Sequence, residues 1–111
     1  LVAAVYLWDS EGLSQRNEEI PNQLNTLRLL ANIPVICYGD FNMSPAVIEE
    51  SGWLQTLHMV VRRPQADTTL KSARASVIDF FLVSRDIEHM CGPVTLDLES
   101  HWYPHYGLRM A

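Results

Sequence analysis

Val77-Ile78-Asp79-Phe80-Phe81-Leu82-Val83-Ser84 is apolar on both faces of a period-two pattern, with Asp79 as the exception. A strand with two apolar faces lies in the middle of its sheet, covered on both sides. Upstream, Ile33-Pro34-Val35-Ile36-Cys37-Tyr38 is a second short run rich in β-branched residues, with Pro34 at its entrance. Further strands are expected at Val2–Leu7, Leu57–Arg62, Pro93–Leu98 and Tyr106–Met110. Between the first two strands, residues 14–31 read as a helix that places Ile20, Leu24, Leu27 and Ala31 on one face. Pro21 interrupts that helix. Either the helix proper starts near Glu18, or it kinks at the proline. Ser44-Pro45 opens a second, short helix that ends by Gly52. Gly39–Asn42 and Gln65–Ala75 read as loops. Strands alternating with helices predict an α/β fold.

Composition agrees with a folded domain. The chain has 111 residues, 48% hydrophobic and 19% charged, which supports a packed core and argues against global disorder. That length is one domain or part of a larger one. No apolar run approaches the roughly 20 residues a membrane helix needs, so no membrane partner is expected. The opening Leu1–Leu7 has neither a basic flank nor a small-residue cleavage site, so it reads as a strand and not as a secretory signal. An intracellular site, nuclear or cytoplasmic, is the expectation. A start without Met suggests a chain cut from something longer. The net charge of −5 argues against tight non-specific binding to polyanions by these residues alone. The imbalance lies in residues 1–55, where Arg16 and Arg28 are outnumbered by carboxylates. Arg62, Arg63, Lys71 and Arg74 form a more basic stretch downstream. Cys37 and Cys91 have no CxxC spacing, which excludes a cysteine zinc site and a disulfide framework.

Two carboxylates break the local patterns. Asp40 follows the apolar run 33–38, at the carboxyl end of a strand, where open α/β sheets bind ligands. Gly39 allows a sharp turn there, and Asn42 adds an amide. The alternative is an Asx-type turn joining strand to helix. Asp79 lies within an apolar strand, where an ionised carboxylate costs several kcal/mol (order of magnitude) unless it is paired. A histidine is its natural partner, because the carboxylate would fix the imidazole tautomer. The alternative is a structural Asp bonded to backbone amides. His101 and His105, flanking Trp102-Tyr103-Pro104, are the candidates, and spacing does not choose between them. His58 and His89 lie in ordinary surroundings.

At these residues the chain resembles the endonuclease/exonuclease/phosphatase superfamily, which includes abasic-site endonucleases and the endonucleases of non-LTR retrotransposons. Tyr38-Gly39-Asp40-Phe41-Asn42-Met43-Ser44-Pro45 resembles its GDFN motif. Ser76–Ser84 resembles its S-x-I-D-[YF]-x-[LV]-x-S strand. Pro104-His105-Tyr106-Gly107-Leu108 stands where the family has S-D-H-x-P-[LV]. Tyr6-Leu7-Trp8-Asp9 stands where many members have Y-x-P-N, with Arg16 in the helix that follows. Three departures are visible. Pro104 replaces an acidic residue, Gly107 replaces a proline, and Asp9 replaces an amide.

The resemblance implies a partial domain over residues 1–111. It would be the C-terminal half of a four-layer α/β sandwich with mixed β-sheets, in a family whose full domain is about twice this length. The N-terminal half would carry the Glu that binds the catalytic metal, so no metal ligand is certain within this chain. One sheet face would lack its usual cover, which invites self-association. The implied activity is metal-dependent phosphodiester hydrolysis with Mg²⁺ or Mn²⁺, endonuclease-like, with nucleic acid as partner of the full-length domain. Asp40 would activate water, and Asn42 would donate to phosphate and to that water. His105 would donate to a phosphoryl oxygen, held by Asp79, and Tyr6 would contact phosphate. Lys71 and Arg74 could contact a nucleic-acid backbone or form a solvated loop. Two alternatives stand beside this: a phosphatase or diesterase on phosphoinositides, lipids or nucleotides, and a non-catalytic remnant of a retroelement endonuclease.

Overall fold

In the computed structural model, residues 1–66, 68–71, 76–97 and 105–110 are described. The element order is β1 (Val2–Tyr6), α1 (Gln15–Ala31), β2 (Ile36–Asp40), α2 (Pro45–Glu50), α3 (Trp53–Leu57), β3 (Met59–Arg62), β4 (Asp79–Ser84), a 3₁₀ helix (Arg85–Met90), β5 (Val94–Asp97) and β6 (Gly107–Met110). The architecture is α/β with a mixed sheet. Four strands run in the order β1-β2-β4-β3, with β1 parallel to β2 and the other two pairings antiparallel. β5 and β6 form an antiparallel ribbon. A bridge between Pro64 and Val94 links the ribbon to the end of β3.

As its two apolar faces require, β4 is central. Phe80 and Leu82 point to the helix side, where they join Cys37, Met59, Leu24, Ile48, Leu54 and Leu57 in the buried core. Phe41 stacks on Phe80 with ring centroids 4.3 Å apart, which anchors the chain as it leaves β2. The other face is covered unevenly. Val83 is fully buried, whereas Val2, Tyr6 and Tyr38 are exposed.

Several boundaries differ from the sequence reading, each for a physical reason. β4 begins at Asp79 and not at Val77, so Asp79 sits, buried, at the start of the strand and not in the middle of an apolar run. β2 begins at Ile36 and continues through Gly39 and Asp40, which the sequence placed in a loop. Pairing carries it on, because Gly39 lies opposite Val5 and Asp40 opposite both Tyr6 and Asp79. Only glycine fits at 39. Its φ is +148°, and a Cβ there would lie 1.9 Å from the Val5 carbonyl oxygen. The long helix starts at Gln15, capped by Ser14, whose hydroxyl accepts from the Asn17 amide at 3.3 Å. Pro21 lies inside it, on the buried face with Asn17 and Leu24. Leu27 and Ala31, expected on that face, are exposed. The segment expected to be strand from Leu57 is first a helical turn, α3, which His58 ends in the left-handed region before β3 begins.

Candidate active site

The register of the sheet assembles the site. Tyr6, Asp40 and Asp79 are direct cross-strand partners, so their side chains share one face at one end of the sheet. Two carboxylates directly opposite each other repel, and such a pair persists when a donor stands between them. His105 is that donor. Its Nδ1 lies 2.7 Å from Asp79 Oδ2, and its Nε2 lies 3.4 Å from Asp40 Oδ2. With an Nδ1 hydrogen donated to Asp79, the ring turns Nε2 towards Asp40, and Nε2 donates only when both ring nitrogens carry hydrogen. The structure thus pairs His105 with Asp79. His101 and Pro104 lie outside the described residues, as does Arg74.

Asn42 is held to the same site. Its backbone amide donates to Asp40 Oδ1 at 2.9 Å, and its Nδ2 donates to the Leu7 carbonyl at 2.7 Å. The Asx-type turn at Asp40 is thus present together with the cluster, and both readings of that carboxylate describe the same geometry. Asn42 takes a positive φ of 48°, which asparagine tolerates better than most residues. The Leu7 amide donates to the Asp40 carbonyl at 2.9 Å, which fixes the end of β1 against the end of β2. Asp9, Ser10, Asn42, Leu70, Ser76 and Ile78 line a cavity of about 310 Å³ beside Asn42. A second cavity, of about 250 Å³, opens between Tyr38, Asp40, Asp79, Phe81, His105 and Tyr106.

Two residues that organise the site were not read from the sequence. Thr69 is fully buried. Its hydroxyl accepts from the amides of Ile78 (3.1 Å) and Asp79 (3.3 Å), and its carbonyl accepts from the Tyr106 amide at 2.7 Å. It ties together the residues on either side of the His105–Asp79 contact, and the Leu70–His105 bridge reinforces that tie. Nothing distinguishes Thr69 within its polar stretch, so the sequence carries no signal for it. Asn17 is also fully buried. Its Oδ1 accepts from the Trp8 amide at 2.6 Å, and its Nδ2 donates to the carbonyls of Trp8 (3.1 Å) and Gly12 (2.7 Å). Here a signal existed, since Asn17, Pro21 and Leu24 share one helix face and a polar residue there demands partners. Lys71 Nζ lies 5.6 Å from the Tyr106 ring centroid, which puts a cation near His105.

Comparison with solved structures places this arrangement. A 3'-5' exonuclease, NExo, from Neisseria meningitidis superposes with a TM-score of 0.72 at 18% identity, over 97% of this chain and 59% of that one. The chain has that fold. A structure of the 3' phosphatase NExo from Neisseria bound to a product DNA hairpin superposes with a TM-score of 0.64 at 20% identity over the same shares. This chain spans about three fifths of the length of these two proteins. No protein-family model matches the sequence, and no curated protein matches it. Among the described residues no helix is long and apolar enough to cross a membrane.

The electrostatics suit a cation. Burial raises the Asp40 carboxyl above its ordinary pKa, the Asn42 amide partly offsets this, and the charge of Asp79 adds to the rise. Asp40, Asp79 and His105 offer one ligand atom each within 4.8 Å of one another, which is a donor set that could hold a metal ion. Carboxylate oxygens are the donors that hard divalent cations take, with water completing the shell. The residues present therefore fit such an ion at Asp40 and Asp79, with His105 Nε2 adjacent.

Proposed function

We propose that this chain is the C-terminal part of a metal-dependent phosphodiester hydrolase acting on nucleic acid, with Mg²⁺ or Mn²⁺ as the cation. The observation that carries this reading is His105 lying between two directly paired carboxylates at the carboxyl end of β2. The fold shared with an exonuclease and a DNA-bound 3' phosphatase supports the substrate class.

The roles follow from position. Asp40, whose ionised form burial disfavours, accepts a proton from the attacking water. Asn42 has its Nδ2 on the Leu7 carbonyl, so its second N–H is available to a phosphate oxygen or to that water. His105 donates from Nε2 to a phosphoryl oxygen as charge develops there, and Asp79 fixes the ring and stabilises its cation. Tyr6, in the same cross-strand row, presents its hydroxyl to phosphate. A bound divalent cation supplies charge neutralisation at the phosphoryl oxygens and makes water more acidic. Its principal ligand, by this reading, is a Glu outside these 111 residues.

The isolated chain lacks that Glu, so the test is cleavage of three substrates by the full-length domain that contains it, with Mg²⁺ and with EDTA: supercoiled plasmid, an abasic duplex, and an oligonucleotide ending in a 3' phosphate. Mg²⁺-dependent turnover of at least one, reduced at least about 100-fold in Asp40→Ala, is expected. A well-folded full-length domain that cleaves none of them would return it to the non-catalytic reading. Turnover confined to the 3' phosphate would make it a phosphatase.

A further inference from the structure

Trp8 lies two residues beyond Tyr6, the strand end that carries the site, and it is built as a fixed aromatic platform. Leu7, its neighbour, is bonded through its backbone to both the Asp40 carbonyl and the Asn42 side chain. Both backbone groups of Trp8 are held by the fully buried Asn17, at 2.6 and 3.1 Å. Its indole is nonetheless 48% exposed. The Arg16 guanidinium lies over the ring, 4.0 Å from its centroid, and is itself held by Glu11, which also accepts from the Ser14 hydroxyl at 3.0 Å. A large exposed apolar ring held this firmly has already lost the freedom that binding would otherwise remove. Asp9 and Ser10, the next two residues, line the cavity beside Asn42.

The charges around the ring limit what it can take. Arg16 is matched by Glu11, and Asp9 adds a negative charge, so the surroundings do not favour a phosphate. A neutral, flat, polarisable group fits better. We propose that Trp8 is a base-stacking residue that binds an unpaired nucleobase of the substrate strand next to the hydrolytic site. This inference rests on the nucleic-acid reading above and adds to it where the strand is held. A base inside an intact duplex has no free face to offer, so single strands and frayed ends are the partners.

The experiment is fluorescence-anisotropy titration of a labelled single-stranded oligonucleotide with the chain, with and without Mg²⁺, together with the quenching of intrinsic tryptophan emission. Trp8→Ala is expected to bind about tenfold to a hundredfold more weakly, the range that loss of one stacked base produces. Trp8→Phe is expected to bind within about threefold of the parent, since a ring still stacks, but to lose most of the quenching. The Trp8→Phe comparison decides the matter even if Trp8→Ala does not fold. Unchanged affinity and unchanged quenching in the variants would overturn the inference and leave the nuclease reading intact. No binding by the folded parent chain would overturn the nucleic-acid reading, and the inference with it.

Discussion

By the proposed mechanism, Asp40 serves chemistry at a cost to the fold. Burial and the facing Asp79 raise its carboxyl pKa, and the Asn42 amide only partly offsets them. A carboxyl whose pKa is higher folded than unfolded disfavours the folded state wherever it is ionised. The penalty is absent well below the unfolded value of 3.8 and grows as pH rises through and above it. Asp40→Asn keeps an acceptor for the Asn42 amide and removes the charge. It is expected to raise the melting temperature at pH 7 in EDTA, with the gain shrinking towards zero at pH 3. A lower melting temperature at pH 7 would contradict this. Chemistry that conflicts with burial is also what the sequence displays best. Asp40 and Asp79 stood out because charge does not belong in or beside apolar strands, and the need for a partner pointed to histidine. The contact of His105 with Asp79 came only from the fold, because it depends on the approach to β6 bringing residue 105 against the start of β4.

At the scale of elements, pairing between strands overrides local propensity. The turn residues Gly39-Asp40 are strand because β1 and β4 pair with them on either side. Gly39→Ala tests this. Its Cβ would fall 1.9 Å from the Val5 carbonyl oxygen, so β1 must separate from β2 or the chain must fail to fold. A loss of about 3 kcal/mol or more in denaturant titrations is expected, at the upper end for single substitutions. A loss below about 1 kcal/mol would mean that β1 does not pack as described. The strand runs and the long helix were legible because their periods persist over many residues. α3 and the 3₁₀ helix were not, since five or six residues hold too little period to separate helix from strand. Thr69 was invisible for a related reason. Its value lies in amides nine residues and more away along the chain.

Across the whole molecule, the sheet's register is what turns scattered motifs into a site. Tyr6, Asp40 and Asp79 come from three strands, and His105 comes from the approach to a fourth. The α/β class followed from the alternation of patterns, and the mixed sheet follows from β1 running parallel to β2 while β4 returns between β2 and β3. A site assembled in this way should behave as one unit, with Asp79 acting only through His105. The most direct measurement is the single-turnover rate of Mg²⁺-dependent cleavage for the full-length domain, its Asp79→Asn and His105→Ala variants and the double variant. Each single change is expected to slow cleavage by about 10²- to 10⁴-fold, and the double variant to be no slower than His105→Ala alone. Losses that multiply in the double variant, or an Asp79→Asn chain as fast as the parent, would contradict a shared Asp79–His105 unit at the centre of the reaction.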